Sequence, residues 1–245
     1  MIHVFQFLVA GCMVVLVVEV LWIIFCGQRL ERPSISRDLR TFGRGRSLRF
    51  AVLGDSTAVS MGGDYEQGYA VAVARHLAQK HKITWGNVAI PGARIADVVR
   101  EQITDIAQLR PDIALVAVGA NDVTHFTQLE AVRRSFEELI EKLRAINPDM
   151  RIVLTGAPAM GTAPRFMRIT RRLMAMRTQA VNRIVIEISK RRRVIFAPIA
   201  AETEEIYRAH PELFAADKFH PTTEGYLPWI AVLKRTFDRA DLTPS

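Results

Sequence analysis

The sequence predicts an α/β fold, in which a parallel five-stranded sheet carries helices on both faces and one transmembrane helix precedes it. Three observations lead to this prediction. Short runs of β-branched residues alternate with amphipathic stretches through most of the chain. One of these runs, IALVAV, is continuously apolar, as expected of a strand that is buried on both faces. The N-terminus is a single long apolar run.

This apolar run extends from Val4 to Cys26 and is interrupted only by Gln6 and Glu19. At about 1.5 Å per residue it is long enough to cross a hydrocarbon core of about 30 Å. A cleaved signal peptide is the alternative, but the basic start, the shorter apolar run and the small-residue cleavage site that it requires are missing. We therefore predict a transmembrane anchor at residues 1–27, with the Glu19 carboxylate near the headgroups.

Arginine is concentrated directly after the apolar run. Residues 1–50 hold seven Arg and three acidic residues, and so supply half of the formal net charge of +8. Because cytoplasmic flanks are enriched in Lys and Arg, we expect a single-pass membrane protein whose C-terminal domain is cytoplasmic, with an exported orientation as the alternative. Residues 28–48 have no sustained apolar period and are predicted to form a basic tether.

Several classes of function are disfavoured by composition. Both cysteines, Cys12 and Cys26, lie in the apolar run, so the remaining chain has no thiol for a disulfide, a Cys-based zinc site or a Cys nucleophile. The basic residues form local clusters without a recognition motif, so nucleic-acid binding is not expected. The sequence contains no HExxH, GxSxG or phosphate-binding motif.

A single domain, residues 49–245, follows the tether. Its predicted strands are 49–53, 83–88, 112–118, 151–154 and 194–196. Its predicted helices are 68–81, 95–109, 129–146, 166–192 and 222–237. Strands joined by helices form right-handed crossovers, which make the sheet parallel, and such sheets bind ligands at the carboxyl ends of their strands.

Residues with catalytic chemistry follow three of these strands. Ser56 comes after the first strand, in LGDSTAVSMGG, where its hydroxyl would lie at the carboxyl edge of the sheet; taken alone, such a serine is more often a helix cap. Gly92 follows the second strand and can bring its N–H close to a substrate because it has no Cβ. Asn121 follows the third strand, in VAVGANDVTHF, where its amide could stabilise an oxyanion by about 3 kcal/mol.

A base for Ser56 is found near the C-terminus, in ADKFHPTTEGY. His220 lies three residues after Asp217, so one turn can hold the carboxylate against one imidazole nitrogen and leave the other to accept the Ser56 proton. Asp55 and Asp122, which flank the strand ends, are expected to bind backbone N–H groups.

Four blocks, GDS at 54–56, Gly92, GAND at 119–122 and DKFH at 217–220, resemble those of the SGNH or GDSL hydrolase family over nearly all of residues 49–237. The resemblance implies a three-layer α/β/α sandwich with a flavodoxin-like sheet. It also implies hydrolysis of a carboxylic ester or thioester through a covalent acyl-serine, without a metal or an organic cofactor. Finally, it implies an oxyanion hole made by the N–H groups of Ser56 and Gly92 and the side chain of Asn121.

Other functions compete with ester hydrolysis. The same acyl-serine could pass its acyl group to a glycan hydroxyl, or be formed by deacetylating a glycan. A catalytically silent, membrane-tethered binding domain is the third possibility, although competent residue types occupy all the triad and oxyanion positions. We expect the substrate to be a small-molecule or lipid acyl ester, and the anchor favours one that lies near a bilayer.

A second basic cluster, residues 165–193, contains ten Arg or Lys and one acid. On a helix, Arg165, Arg168 and Arg172 would share one face. Apolar residues of this stretch are expected to pack inward: Phe166, Ile169, Leu173 and Met176. We interpret the cluster as a solvated basic face, with contact to anionic headgroups or an anionic substrate as the alternative.

Overall fold

The computed structural model describes residues 13–15, 17–19, 21–23, 25–31 and 39–240. Its strands are β1 (Arg40–Phe42), β2 (Ser47–Gly54), β3 (Lys82–Asn87), β4 (Ile113–Ala117), β5 (Arg151–Leu154) and β6 (Ile195–Phe196). They form one sheet in the order β1-β3-β2-β4-β5-β6. All five predicted strands are present as β2 to β6, and they pair in parallel. The chain winds away from β2 in both directions, which opens a crevice between the carboxyl ends of β2 and β4.

The prediction of a purely parallel, five-stranded sheet is wrong at one edge. Arg40–Phe42 pair antiparallel with β3, inside the segment that was predicted to be a tether. Three residues are too few to show a strand period, and the stability of this strand comes from tertiary contacts. The Arg40 guanidinium lies over the rings of Phe42 and Trp85 and binds both carboxylate oxygens of Glu66. Residues 32–38 of the tether lie outside the described part of the chain.

Helices connect the strands as the sequence predicts, with three differences. The helices are α1 (Tyr69–Leu77), α2 (Ile95–Asp97, a π-helical stretch Val98–Gln102, and Ile103–Ala107), α3 (Ala120–Thr124), α4 (Leu129–Ile146), α5 (Arg168–Arg192), α6 (Ile199–Ala209) and α7 (Leu227–Arg239). The π-helical stretch and the helices α3 and α6 were not predicted. In α6 the buried positions are Ile199, Thr203 and Tyr207, and a threonine in the apolar stripe weakens its pattern.

Two apolar layers, one on each face of the sheet, complete a three-layer α/β/α sandwich. Alternate residues of β2 point to opposite layers, with Leu53 in one and Val52 in the other. The first layer packs against α2, α4 and α5, and the second against α1, α6 and α7. The crevice at the end of β2 is therefore held by a core on both sides.

A helix precedes the sheet, with helical backbone at 13–15, 17–19, 21–23 and 25; we call it the N-terminal helix. None of the helices that the structure describes is both long and apolar enough to span a bilayer, so the predicted transmembrane anchor at 1–27 is not confirmed. Its first 12 residues lie outside the described part. Glu19 does not face headgroups: it is buried, and its carboxylate accepts the N–H groups of Ile169 and Thr170 at the start of α5.

Candidate active site

Ser56 lies at the carboxyl edge of the sheet because the end of β2 presses against the end of β4. Gly54 has φ of 156°, and a Cβ at this position would clash with the carbonyl oxygen of Ala117. The N–H of Asp55 donates to that same oxygen over 3.1 Å. The chain then turns at once, which leaves the Ser56 hydroxyl in the crevice with only 7% of the residue exposed.

The structure brings the three predicted triad residues into one hydrogen-bonded chain. Ser56 Oγ lies 2.8 Å from His220 Nε2, and His220 Nδ1 lies 2.5 Å from Asp217 Oδ2. All three residues are buried. This is the arrangement in which an imidazole can take the hydroxyl proton while a carboxylate orients the ring.

A tight loop at Asp217–His220, which we call the catalytic loop, presents the imidazole. Asp217 Oδ1 accepts the N–H groups of Phe219 and His220, both over 3.0 Å, while Lys218 takes a left-handed conformation with φ of 57°. Burial raises the pKa of the Asp217 carboxyl, but the hydrogen bonds from His220 and from the backbone outweigh it and hold the pKa below its usual range. Asp217 is therefore ionised at neutral pH.

The other two predicted oxyanion residues follow the strands that flank β2, Gly92 after β3 and Asn121 after β4. Gly92 has φ of 87°, a conformation that favours glycine, and the space where a Cβ would stand is open. Among the described residues, neither the Gly92 N–H nor the Ser56 N–H has a hydrogen-bond acceptor. Asn121 Nδ2 donates one hydrogen to the carbonyl of Ala93 over 3.1 Å, which fixes the amide and leaves its second hydrogen for a ligand.

The neighbouring carboxylates bind backbone N–H groups, as expected. Asp55 Oδ1 accepts both the N–H and the hydroxyl of Thr57, and Asp122 Oδ2 accepts the N–H of Ile95. Burial raises the pKa of Asp55 to about 6, although the bonds from Thr57 oppose the shift. Burial also raises the pKa of Asp122. Neither carboxylate contacts His220 by a hydrogen bond.

Comparison with known proteins identifies the family of this chain. A model described as the GDSL-like Lipase/Acylhydrolase family matches residues 52–227, which is most of the chain. The chain belongs to this family. The resemblance inferred from the four sequence blocks is thereby confirmed.

One curated protein and two solved structures illustrate what this chain is similar to. A GDSL-like esterase of Mycobacterium tuberculosis (strain ATCC 25618 / H37Rv) is 28% identical over 185 residues, which are 73% of this chain and 58% of that protein, so the chain spans less than two thirds of its relative. A lipase/acylhydrolase from Enterococcus faecalis superposes with a TM-score of 0.63 at 19% identity, covering 81% of this chain and 99% of that one. An acetylxylan esterase from Geobacillus stearothermophilus, a catalytic mutant of Axe2, superposes with a TM-score of 0.60 at 19% identity, covering 83% and 100%. At these identities the two structures establish the fold.

Sequence reasoning missed Gln102, which supports the Ser56 turn. Its side chain is fully buried on the π-helical stretch, where Oε1 accepts the Gly54 N–H over 2.9 Å and Nε2 donates to the Gly54 carbonyl over 2.8 Å. One amide therefore binds both the N–H and the carbonyl of Gly54, two residues before Ser56. A signal existed, since Val99, Gln102 and Ile106 share a helical face, which places a glutamine in an apolar stripe.

Arg165 was assigned to a solvated basic face, and that prediction is wrong. Its guanidinium donates to the carbonyl of Asp217 over 3.4 Å and to the carbonyl of Ile23 over 3.0 Å, while its own N–H donates to Lys218 over 2.9 Å. Gln28 N–H adds a bond to the carbonyl of Ala216. The N-terminal helix is therefore joined to the catalytic loop.

The inward packing predicted for the start of α5 is only partly correct. Phe166 is buried, but Ile169, Leu173 and Met176 are exposed. Leu173 lines a groove of about 540 Å³ that reaches the triad. The lining of this groove is mostly apolar and also includes Ile23, Phe126, Phe166, Phe219 and His220. A much smaller cavity of about 30 Å³ lies on another side of His220.

Proposed function

We propose that this chain is a serine esterase that hydrolyses carboxylic esters or thioesters through an acyl-Ser56 intermediate. The observation that carries the proposal is the continuous chain from Ser56 Oγ through His220 to Asp217, with separations of 2.8 and 2.5 Å. Membership of an acylhydrolase family supports it.

In the acylation step, Ser56 Oγ attacks the ester carbonyl carbon and His220 Nε2 accepts the hydroxyl proton. Asp217 holds the Nδ1–H side of the ring and stabilises the imidazolium, because its lowered pKa keeps it charged. The same proton then passes from His220 to the departing alcohol or thiol. The C–O or C–S bond breaks and the acyl group remains on Ser56.

The oxyanion that forms in this step needs hydrogen-bond donors that are fixed in advance. We assign the N–H groups of Ser56 and Gly92 and the Asn121 side-chain amide, since each has a hydrogen without a protein acceptor in the described part of the chain. A donor of this kind contributes about 3 kcal/mol to the transition state. Water, deprotonated by His220, then hydrolyses the acyl-enzyme.

Replacement of the nucleophile tests the mechanism. We expect Ser56→Ala to lower kcat/KM on p-nitrophenyl esters by at least about 10³-fold, because the covalent route is lost. A fluorophosphonate probe should label the wild type at Ser56 and leave the variant unlabelled. Ser47→Ala, at the exposed start of β2, is the matched control and should keep wild-type activity.

The proposal fails if Ser56→Ala is as active as the wild type. It also fails if the wild type hydrolyses no member of a panel of carboxylic esters and thioesters and is not labelled by the fluorophosphonate probe. Labelling at a different serine would contradict the assignment of Ser56 while leaving a serine esterase in place.

Deacetylation of a glycan is a second candidate. The cavity of about 30 Å³ beside His220 has room for a methyl-sized group and for no longer chain. An acetylated xylan, the kind of substrate named for one structural relative, is the test substrate. Acetate release from xylan in preference to all simple esters would favour this candidate, whereas preference for longer acyl esters would exclude it.

We further propose that the mouth of the groove contacts a membrane surface. The N-terminal helix exposes Val14, Val18 and Phe25, and the first turns of α5 expose Leu173 and Met176. Exposed arginines flank this apolar face on α5: Arg168, Arg171 and Arg172. Apolar residues bordered by cations are the pattern that binds anionic headgroups, so the expected surface is an anionic bilayer.

A further inference from the structure

The N-terminal helix contributes a wall to the groove that leads to the triad. Ile23 lines the groove on one side, while Leu173 of α5 and Phe126 line it elsewhere. His220 and Asp217 form its inner end. A segment that sequence reasoning interpreted as an anchor therefore lies against the catalytic residues.

Specific contacts fix this helix along a single face. Glu19, Ile23 and Cys26 are spaced four and three residues apart, and Glu19 and Cys26 are buried. Glu19 binds two N–H groups of α5 over 2.8 and 2.9 Å, and the Ile23 carbonyl accepts from the Arg165 guanidinium. Between these two polar attachments, the Ile23 side chain has little freedom to leave the groove.

The size and lining of the groove match an acyl chain. At about 540 Å³ it lies within the range of about 300–1,000 Å³ that small-molecule sites occupy, whereas the cavity of about 30 Å³ holds no more than a methyl-sized group. Its lining is mostly hydrocarbon and aromatic, and Arg165 at one side is occupied by backbone carbonyls. An apolar chain gains from such burial in proportion to its length.

We infer that the groove between the N-terminal helix and α5 binds the acyl chain of the substrate, and that Ile23 is a specificity-determining residue. The inference rests on the proposed esterase function and names its substrate class: esters whose acyl group is a medium-length or long hydrocarbon chain. The leaving group then lies outside the groove.

Two series of esters, assayed with the chain of residues 1–245, test this assignment. In the first, p-nitrophenyl esters extend the acyl group from acetate to dodecanoate; in the second, acetate esters carry alcohols of rising length. Wild-type kcat/KM should rise with acyl length and stay nearly flat with alcohol length. Ile23→Trp should lower kcat/KM on the octanoate at least about 10-fold relative to acetate, since filling a pocket by a few methylenes typically costs this much.

Three further measurements complete the experiment. Ile23→Ala should lengthen the preferred acyl chain, which a merely structural role of Ile23 would not produce. Ile206→Trp, on the exposed side of α6, is the matched control and should keep the wild-type chain-length profile. Fluorophosphonate labelling of Ser56 in each variant reports that the triad is intact.

Two results would overturn the inference. One is that Ile23→Trp lowers kcat/KM equally for all acyl lengths, or for none of them, while its Ser56 is still labelled by the probe. The other is a change confined to the alcohol series, which would place the leaving group in the groove. A wild type that is inert on both series and unlabelled contradicts the proposed esterase function instead.

Discussion

Asp55 is a carboxyl that the fold buries next to Ser56, where it accepts hydrogen bonds from Thr57. It is 1% exposed and its pKa is raised to about 6. Its two hydrogen bonds from Thr57 shape the turn after Ser56, and an amide oxygen could accept them equally well. The negative charge of Asp55 is therefore a cost to stability that the turn does not require.

The cost of the buried Asp55 charge should make the free energy of unfolding depend on pH. Because the folded pKa lies above the ordinary value of 3.8, the contribution of Asp55 to stability is largest below about pH 4 and is lost as the pH rises through about 6. The difference corresponds to roughly 3 kcal/mol. We expect Asp55→Asn to gain about that much relative to the wild type between pH 4 and pH 7.5, measured by urea unfolding. Asp149→Asn, in the exposed turn before β5, is the control, and an equal pH response in the two variants would refute the burial argument.

At the scale of elements, the π-helical stretch of α2 positions a buried glutamine at the end of β2. A wider turn at Val98–Gln102 carries Gln102 to the end of β2, where its amide pairs with both polar groups of Gly54. Neither polar group would find water there, because Gln102 is fully buried. The irregular helix thus holds the strand end that precedes Ser56.

Loss of this amide should weaken both the fold and the site. Gln102→Met fills a similar volume but leaves the buried Gly54 N–H unpaired, at about 1–3 kcal/mol, while the Gly54 carbonyl keeps its bond from the Ile90 N–H. We expect the variant to unfold at a lower urea concentration. We also expect kcat to fall while KM changes little, because the position of Ser56 is altered and the binding groove is not. Gln108→Met, exposed at the end of the same helix, is the control. If Gln102→Met were as stable as the wild type, the backbone of Gly54 would not need the Gln102 amide as a partner.

For the molecule as a whole, the proposed membrane contact can be tested with vesicles. The chain of residues 1–245 should bind phosphatidylcholine vesicles containing phosphatidylglycerol, and binding should weaken as salt rises. The pair Arg168→Ala and Arg172→Ala should weaken binding by about 2 kcal/mol, or roughly 30-fold. Lys234→Ala with Arg239→Ala, on α7 at the opposite layer, should not. Binding that is absent, or equal for both double variants, contradicts the proposed membrane contact.

Features that depend on local sequence patterns could be predicted, whereas those stabilised by contacts between residues distant in sequence could not. Ser56 and Asn121 were found because the carboxyl ends of parallel strands meet at one edge, a rule that needs only the strand pattern. β1 was missed because its three residues are stabilised by contacts with Trp85 and Glu66, which are distant in sequence. The docking of the N-terminal helix has no local signal either, since its apolar pattern is that of a membrane segment.

The contacts between the N-terminal helix and the catalytic loop bear on how the protein is produced. Removal of an apolar N-terminal run is a routine step in preparing such a chain for crystals or assays. Here a chain shortened to start at residue 29 would lose the Gln28 bond to Ala216 and the Ile23 wall of the groove. Its triad could still form, but any substrate profile measured on it would describe a different, wider pocket from that of the chain that keeps the N-terminal helix.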